Sequence, residues 1–250
     1  GGACGGKKTM NMNISDVMKK FEERAGVAFT DGGLLETALT HRSYLNEARS
    51  GARAPGVQKT HNERLEFLGD AVLELAVTDY LYRAYPDSDE GTLTSYRAAL
   101  VNAVMLGEIA EGLGINELLL LSKGESRDTG RARQTILANA FEAVVGALYM
   151  DQGYKAAYGF IERHVLSKVV EVVQSGEWRD AKSEFQELAQ AKYGLTPKYD
   201  TVSADGPDHD KRFVISVSVG DVAIAEGEGK SKQEAETEAA KKALEEEKKK

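Results

Sequence analysis

The stretch His61-Asn62-Glu63-Arg64-Leu65-Glu66-Phe67-Leu68-Gly69-Asp70, continued by Ala71-Val72-Leu73-Glu74-Leu75-Ala76, constrains this chain more than any other. Read as a helix turning about 100° per residue, it places Glu66 at about −60° and Asp70 at about −20° from Glu63. These carboxylates therefore share one narrow stripe. Leu65, Leu68, Val72 and Leu75 fall between about 120° and 200°, which predicts a core-facing side opposite the acids. Carboxylates three and four residues apart repel one another directly. A hard divalent cation, which takes oxygen ligands, would relieve the repulsion; a solvated acidic face is the plain alternative. Two residues weigh against the plain alternative. Gly69 costs about 1 kcal/mol against alanine inside a helix, and its place beside the stripe predicts close approach of another backbone or a ligand. Phe67 falls at about +40°, beside the acids, so it is either exposed or covered by something outside this helix.

Other elements follow in order. A short amphipathic helix is expected over 12–24. A second begins at Leu34 and runs on into Thr40-His41-Arg42-Ser43-Tyr44. Residues 48–60, with Gly51, Pro55 and Gly56, read as a loop. The acidic helix continues through Tyr82 and ends at Pro86. The next opens at Glu90-Gly91-Thr92-Leu93, with Asp87, Ser88 and Asp89 as possible caps, and keeps helical periodicity to residue 112. Residues 122–131 form a polar loop. The run Ile136-Leu137-Ala138-Asn139-Ala140-Phe141-Glu142-Ala143-Val144-Val145 is apolar nearly all round, which predicts a central helix. Its polar members Asn139 and Glu142 share a face at i and i+3. A buried glutamate is costly alone, so Glu142 calls for a metal, a basic partner or a proton. A bond to a core tyrosine or arginine would also satisfy it. A last helix spans 154–173, with no strand signal before it.

After residue 173 the pattern changes. Ser183 to Tyr193 reads as a helix. The segments 198–203, 212–219 and 222–227 read as strands by alternation and β-branched content. Gly220-Asp221 is a tight hairpin turn, and Ser231 to Leu244 is a closing helix with an alanine face. The expected fold is an all-α domain (12–173), a linker (174–181) and a small α-β-β-β-α domain (182–245). Residues 1–11 read as a flexible leader or tag and 245–250 as a frayed end.

Composition limits the chemistry. The single cysteine, Cys4, rules out an internal disulfide and a multi-cysteine metal site, which fits a reducing, cytoplasmic setting. Four histidines lie scattered without ligand spacing, so a metal is expected on carboxylates. No apolar run approaches the roughly 20 residues of a membrane span. The net charge is −8, so nucleic-acid binding would depend on local basic patches.

The motifs Asn62-Glu63-Arg64-Leu65-Glu66-Phe67-Leu68-Gly69-Asp70, Thr40-His41-Arg42-Ser43-Tyr44 and Ile136 to Ala143 resemble, in order, those of the ribonuclease III family. Asp180 to Glu187 and Gly227-Glu228-Gly229-Lys230-Ser231-Lys232 resemble the double-stranded RNA-binding domain that follows in the bacterial enzymes. The resemblance covers about residues 12–245. It implies a homodimeric endonuclease acting on double-stranded RNA in ribosomal and messenger RNA processing. Such enzymes leave 5′-phosphate ends and short 3′ overhangs. It implies Mg²⁺, with Mn²⁺ as a substitute, on Glu66, Asp70, Asn139 and Glu142; Asp70 and Glu142 match the acids most tied to catalysis. Glu63 and Glu90 match supporting acids of the cleft. Phe67 matches an aromatic knob that enters a socket on the partner. In the small domain, Ser183, Gln186 and Gln190, a loop containing His209, and Lys230 with Lys232 match RNA contacts.

Two departures stand out. The family pattern has aspartate where this chain has Asn139. Asparagine keeps a ligand oxygen but loses the charge, either as a natural weaker ligand or as a substitution that spares substrate. A dimer that grips duplex RNA without cutting it is therefore the second reading. Gln233 and Glu234 interrupt the usual basic run, which predicts modest RNA affinity and a shallow salt dependence. A helical phosphohydrolase built on histidine–aspartate pairs would have only His209-Asp210, in an expected loop.

Overall fold

A computed structural model describes residues 14–47, 60–176, 178, 180–207 and 211–249; side-chain surroundings are described from residue 18 onward. The expected loop at 48–60 lies outside this set except for Thr60, as do His209 and the leader. The chain divides into two compact units between Ser175 and Gly176.

The first unit is helical: α1 (Ile14–Ala25), α2 (Gly32–Ala38), α3 (Arg42–Glu47), α4 (Glu63–Ala84), α5 (Glu90–Leu100), α6 (Ala103–Gly112), α7 (Ile115–Leu118), α8 (Gly130–Gln152), α9 (Tyr154–His164) and α10 (Val169–Ser175). Three expected long helices are broken. Thr40 pairs with Leu120 in an isolated β-bridge, which separates α2 from α3. Asn102 turns extended and accepts from the Met105 amide, which starts α6 afresh. Gly130 already begins α8, and a 3₁₀ turn at Leu166–Lys168 splits the last helix. Periodicity persists through such breaks because the helices on either side keep burying apolar residues in the same core. Asp89 does cap α5, accepting from the Thr92 amide at 2.7 Å.

Helix α8 is the hub, packed by α2, α4, α6 and α9. From Ala143 to Leu148 every residue is buried. Phe141 stacks on Phe160 of α9 at 5.3 Å between ring centres. Against it α4 turns Gly69, Val72, Leu73, Ala76 and Val77. This buried face lies about 90° round the helix from the expected one, nearer the acids. Leu75, expected in the core, is 59% exposed, and Phe67 is 81% exposed.

The cause is a crossing of unusual closeness. A Cβ on Gly69 would overlap the Glu142 carbonyl oxygen and lie 2.7 Å from its carbon; one on Gly146 would overlap the Leu65 carbonyl oxygen. The two backbones meet glycine to carbonyl in both directions, and Gly69 answers to another backbone.

The second unit comprises α11 (Ala181–Tyr193), β1 (Lys198–Asp205), β2 (Arg212–Val219), β3 (Val222–Gly229) and α12 (Lys232–Lys248). The antiparallel sheet runs β1-β2-β3, with Val219 facing Val222 across the Gly220-Asp221 turn. Phe185, Ala189, Val217, Val219, Ala239, Ala240, Ala243 and Leu244 form its core. Small residues again permit close contact, since a Cβ on Gly227 of β3 would strike the α12 backbone at Ala235 and Ala239. Of the expected frayed end, the residues through Lys248 continue α12. Glu247 is buried, accepting from Lys192 Nζ at 2.7 Å and the Tyr193 hydroxyl at 2.6 Å, which ties the end of α12 to that of α11.

Gly69→Ala is expected to lower stability by about 3 kcal/mol or more, because neither backbone can yield locally. Gly159→Ala, where an added Cβ meets nothing within 4 Å, should be neutral or stabilise by up to about 1 kcal/mol. Thermal melts of the two variants check this.

Candidate active site and RNA-binding surface

The crossing brings the α8 carboxylate to the acids of α4. Burial, then Asp70, then Glu66, then Glu74 push the Glu142 carboxyl up to about 8. Burial first, then Glu63 and Asp70, also raises Glu66, while a hydrogen bond from the Asn139 side chain pulls it down. Glu66, Asp70, Asn139 and Glu142, named from distant parts of the sequence, thus form one electrostatic cluster.

The stripe on α4 is longer than its first three acids. Glu74 continues it at about +20°. Its two ends carry counter-charges: Arg42 lies 3.3 Å from Glu63, and Arg97 of α5 lies 2.9 Å from Glu74. Among the described residues, no basic side chain pairs with Glu66, Asp70 or Glu142 in the middle. Glu74 and Arg97 are absent from the sequence-based site. The helical phase of Glu74 could have suggested it, whereas nothing in the sequence points Arg97 at it.

Glu90 stands apart from this cluster. It opens α5 and lines a cleft of about 440 Å³ with Leu81, Tyr82, Leu93 and Arg97. Phe67 and Ala71 are exposed, as are Leu75 and Tyr82 at 59% and 72%. At spacings of four, four and seven they make an apolar stripe on the outer face of α4.

Oxygen donors of this kind suit a hard cation. Among the described residues, no three Asp, Glu, His or Cys side chains are grouped as a ready-made cage. Mg²⁺ does not require one: it keeps several waters and binds through one or two carboxylates plus substrate phosphates. The uncompensated charge between the two arginines, together with the Asn139 amide oxygen, fits that donor set.

In the second unit, Ser183, Gln186 and Gln190 lie exposed along α11, with the Ser183 hydroxyl donating to the Asp180 carboxylate at 2.7 Å. Lys230 and Lys232 are exposed at the start of α12. Glu234, which interrupts the basic run, has a structural task. Its carboxylate accepts from the amide of Lys230, the residue before the N-cap, at 2.8 Å while Ser231 Oγ accepts from the Glu234 amide at 3.2 Å, a variant of the capping box displaced by one residue.

Known proteins place these features. Residues 31–169 match the ribonuclease-III-like family and residues 181–247 the double-stranded RNA binding motif. Proteins named Ribonuclease 3 are similar along nearly the whole chain. That of Pelotomaculum thermopropionicum is 45% identical over 93% of this chain and 94% of its own. That of Bdellovibrio bacteriovorus is 42% identical over 93% and 97%. The helical unit resembles the nuclease domain of ribonuclease III from Campylobacter jejuni, with 35% identity and a TM-score of 0.52 over 60% of this chain and 96% of that one. That structure is described as flexible in a region involved in dimer formation. The chain therefore belongs to the ribonuclease III family, with the nuclease domain and the double-stranded RNA binding motif both present.

Proposed function

We propose that two copies of this chain hydrolyse one phosphodiester on each strand of duplex RNA, with Mg²⁺ held by Glu66, Asp70, Asn139 and Glu142. The observation that carries the reading is the half-buried position of Glu142 against the α4 acids, where a proton or a cation offsets the charge. Relatives named as ribonucleases along the full chain favour cutting over a binding-only dimer. A bound Mg²⁺ supplies charge for the phosphate oxygens and for an activated water. The protein residues do the rest. Glu142, whose carboxyl is pushed up to about 8 by burial and the α4 acids, holds a proton at neutral pH and would give it up to serve as a ligand when the cation is bound. The Asn139 amide orients Glu66, and Glu63 is held at the stripe's N-terminal end by Arg42. Attack of water oxygen on phosphorus breaks the bond to the 3′ oxygen, leaving a 5′-phosphate.

The exposed stripe of Phe67, Ala71, Leu75 and Tyr82 is the dimer face, because apolar strips of this kind mark interaction sites. The cleft beside Tyr82, lined by Glu90, is a socket large enough for Phe67 of a second copy. A symmetric pair puts two acidic clusters on the two strands of one duplex. The small domain grips the shallow minor groove with Ser183, Gln186 and Gln190. Lys230 and Lys232 meet the phosphates, and the loop with His209 reaches a second groove. Processing of ribosomal and messenger RNA in the cytoplasm is the setting this activity fits; among the described residues, no helix is long and apolar enough to cross a membrane.

Glu142→Ala should abolish cutting of duplex RNA in a gel assay while the duplex still shifts; cutting at an unchanged rate would sink the metal-site reading. Asn139→Asp should lower the Mg²⁺ concentration for half-maximal rate and raise the rate, since it restores a charge. Phe67→Asp should sediment as a folded monomer with little activity.

Glu142 also makes stability depend on pH. Its folded pKa of about 8 lies above the usual 4.5, so the protonated side chain favours folding. That contribution is complete below pH 4.5 and is lost as pH rises through about 8. Metal-free protein should melt lower at pH 8.5 than at pH 5, roughly, and Glu142→Gln should flatten the difference.

A further inference from the structure

The acids of α4 form a graded row. Glu63, Glu66, Asp70 and Glu74 follow one another at three- and four-residue steps along one stripe. The first is paired with Arg42 and the last with Arg97. The Glu74–Arg97 pair is the more closely built of the two. Arg97 Nε meets Glu74 Oε2 at 2.9 Å, and Arg97 Nη1 donates to Thr78 Oγ1 at 3.0 Å, one turn further along α4. Both partners are only about a third exposed, at 35% and 37%, so solvent screens them less than a surface pair. Glu74 is also close enough to act on the Glu142 carboxylate.

We infer that the Glu74–Arg97 pair sets the electric field of the acidic centre and thereby how tightly that centre holds a divalent cation. Glu74 is a positioning acid that strengthens the negative potential without serving as a ligand. Arg97 offsets it, reaching in from α5, whose N-terminal residue Glu90 lines the proposed partner socket. The inference rests on the metal reading of the site. It applies with particular force to this chain, in which Asn139 leaves the ligand group one charge short of the family pattern, so that charge just outside the ligands weighs more heavily.

The signs are fixed by electrostatics. Glu74→Gln removes a negative charge and leaves Arg97 uncompensated, so cation binding weakens. Arg97→Gln frees the Glu74 carboxylate, so binding tightens. Removing both charges returns the field close to that of the parent. For a doubly charged cation a few ångströms away, each single change should amount to about fivefold in affinity.

The experiment titrates Mn²⁺ into the whole chain and reads free Mn²⁺ by its paramagnetic resonance signal, without RNA. Expected are about fivefold weaker binding in Glu74→Gln, about fivefold tighter in Arg97→Gln, near-parental binding in the double variant, and near-parental binding in Arg97→Lys. Melting temperatures are measured on the same samples. A pair that merely ties α5 to α4 would lower the melting temperature of both single variants and leave Mn²⁺ affinity within twofold of the parent, or shift it in the same direction in both. Either result overturns the inference while leaving the metal reading intact. A parent chain that takes up no Mn²⁺ overturns both.

Discussion

Everything distinctive in the helical unit depends on the contact between two backbones at Gly69 and Gly146. Helices ordinarily pack 8–10 Å apart, held off by their side chains. Here each helix lacks a Cβ where the other presents a carbonyl, at Glu142 and at Leu65. The approach has three consequences. It buries the stretch of α8 from Ala143 to Leu148, it rotates the core face of α4 toward its acids, and it carries the start of the Glu142 side chain to the α4 surface. The helix cost of glycine, about 1 kcal/mol at each position, is offset by the dispersion contacts of the close crossing.

The rotation sorts the residues of α4 by function. Glu66 and Asp70 flank the buried face and so meet the α8 polar pair. Phe67, Ala71, Leu75 and Tyr82 are left outward, where an isolated subunit cannot cover them. One helix thereby serves the core, the acidic centre and an apolar face. The arginines stand at the ends of the acidic row and leave its middle unneutralised. Such an arrangement costs folding energy through repulsion and desolvation, a cost that the proposed cation would offset.

The small domain follows the same logic with different residues. Gly227 lets β3 lie against the alanine face of α12, and Phe185 fills the space beneath α11. Glu234, which interrupts the basic run, is not idle, since its carboxylate caps the start of α12; further along the helix Glu236 pairs with Lys182 at 2.5 Å.

The sequence by itself determined the helix phases, the order of all-α unit and α-β-β-β-α unit, and the shared stripe of Glu63, Glu66 and Asp70, because periodicity and hairpin chemistry are local. Its motifs also named Glu142 and Asn139, and the family resemblance implied that they share a cation with Glu66 and Asp70, but neither showed the backbone crossing that brings the two helices together. Only the tertiary structure decided which side of α4 faces the core, since Leu75 and Val72 are equally apolar and the choice belongs to Gly146, some 70 residues away in the chain. The tertiary structure likewise broke the helix at Thr40, which pairs with Leu120, and tied Glu247 to Lys192 and Tyr193 at a supposedly frayed end. It set Arg97 against Glu74 as well. Those outcomes depend on partners distant in sequence, and no local pattern encodes a distant partner.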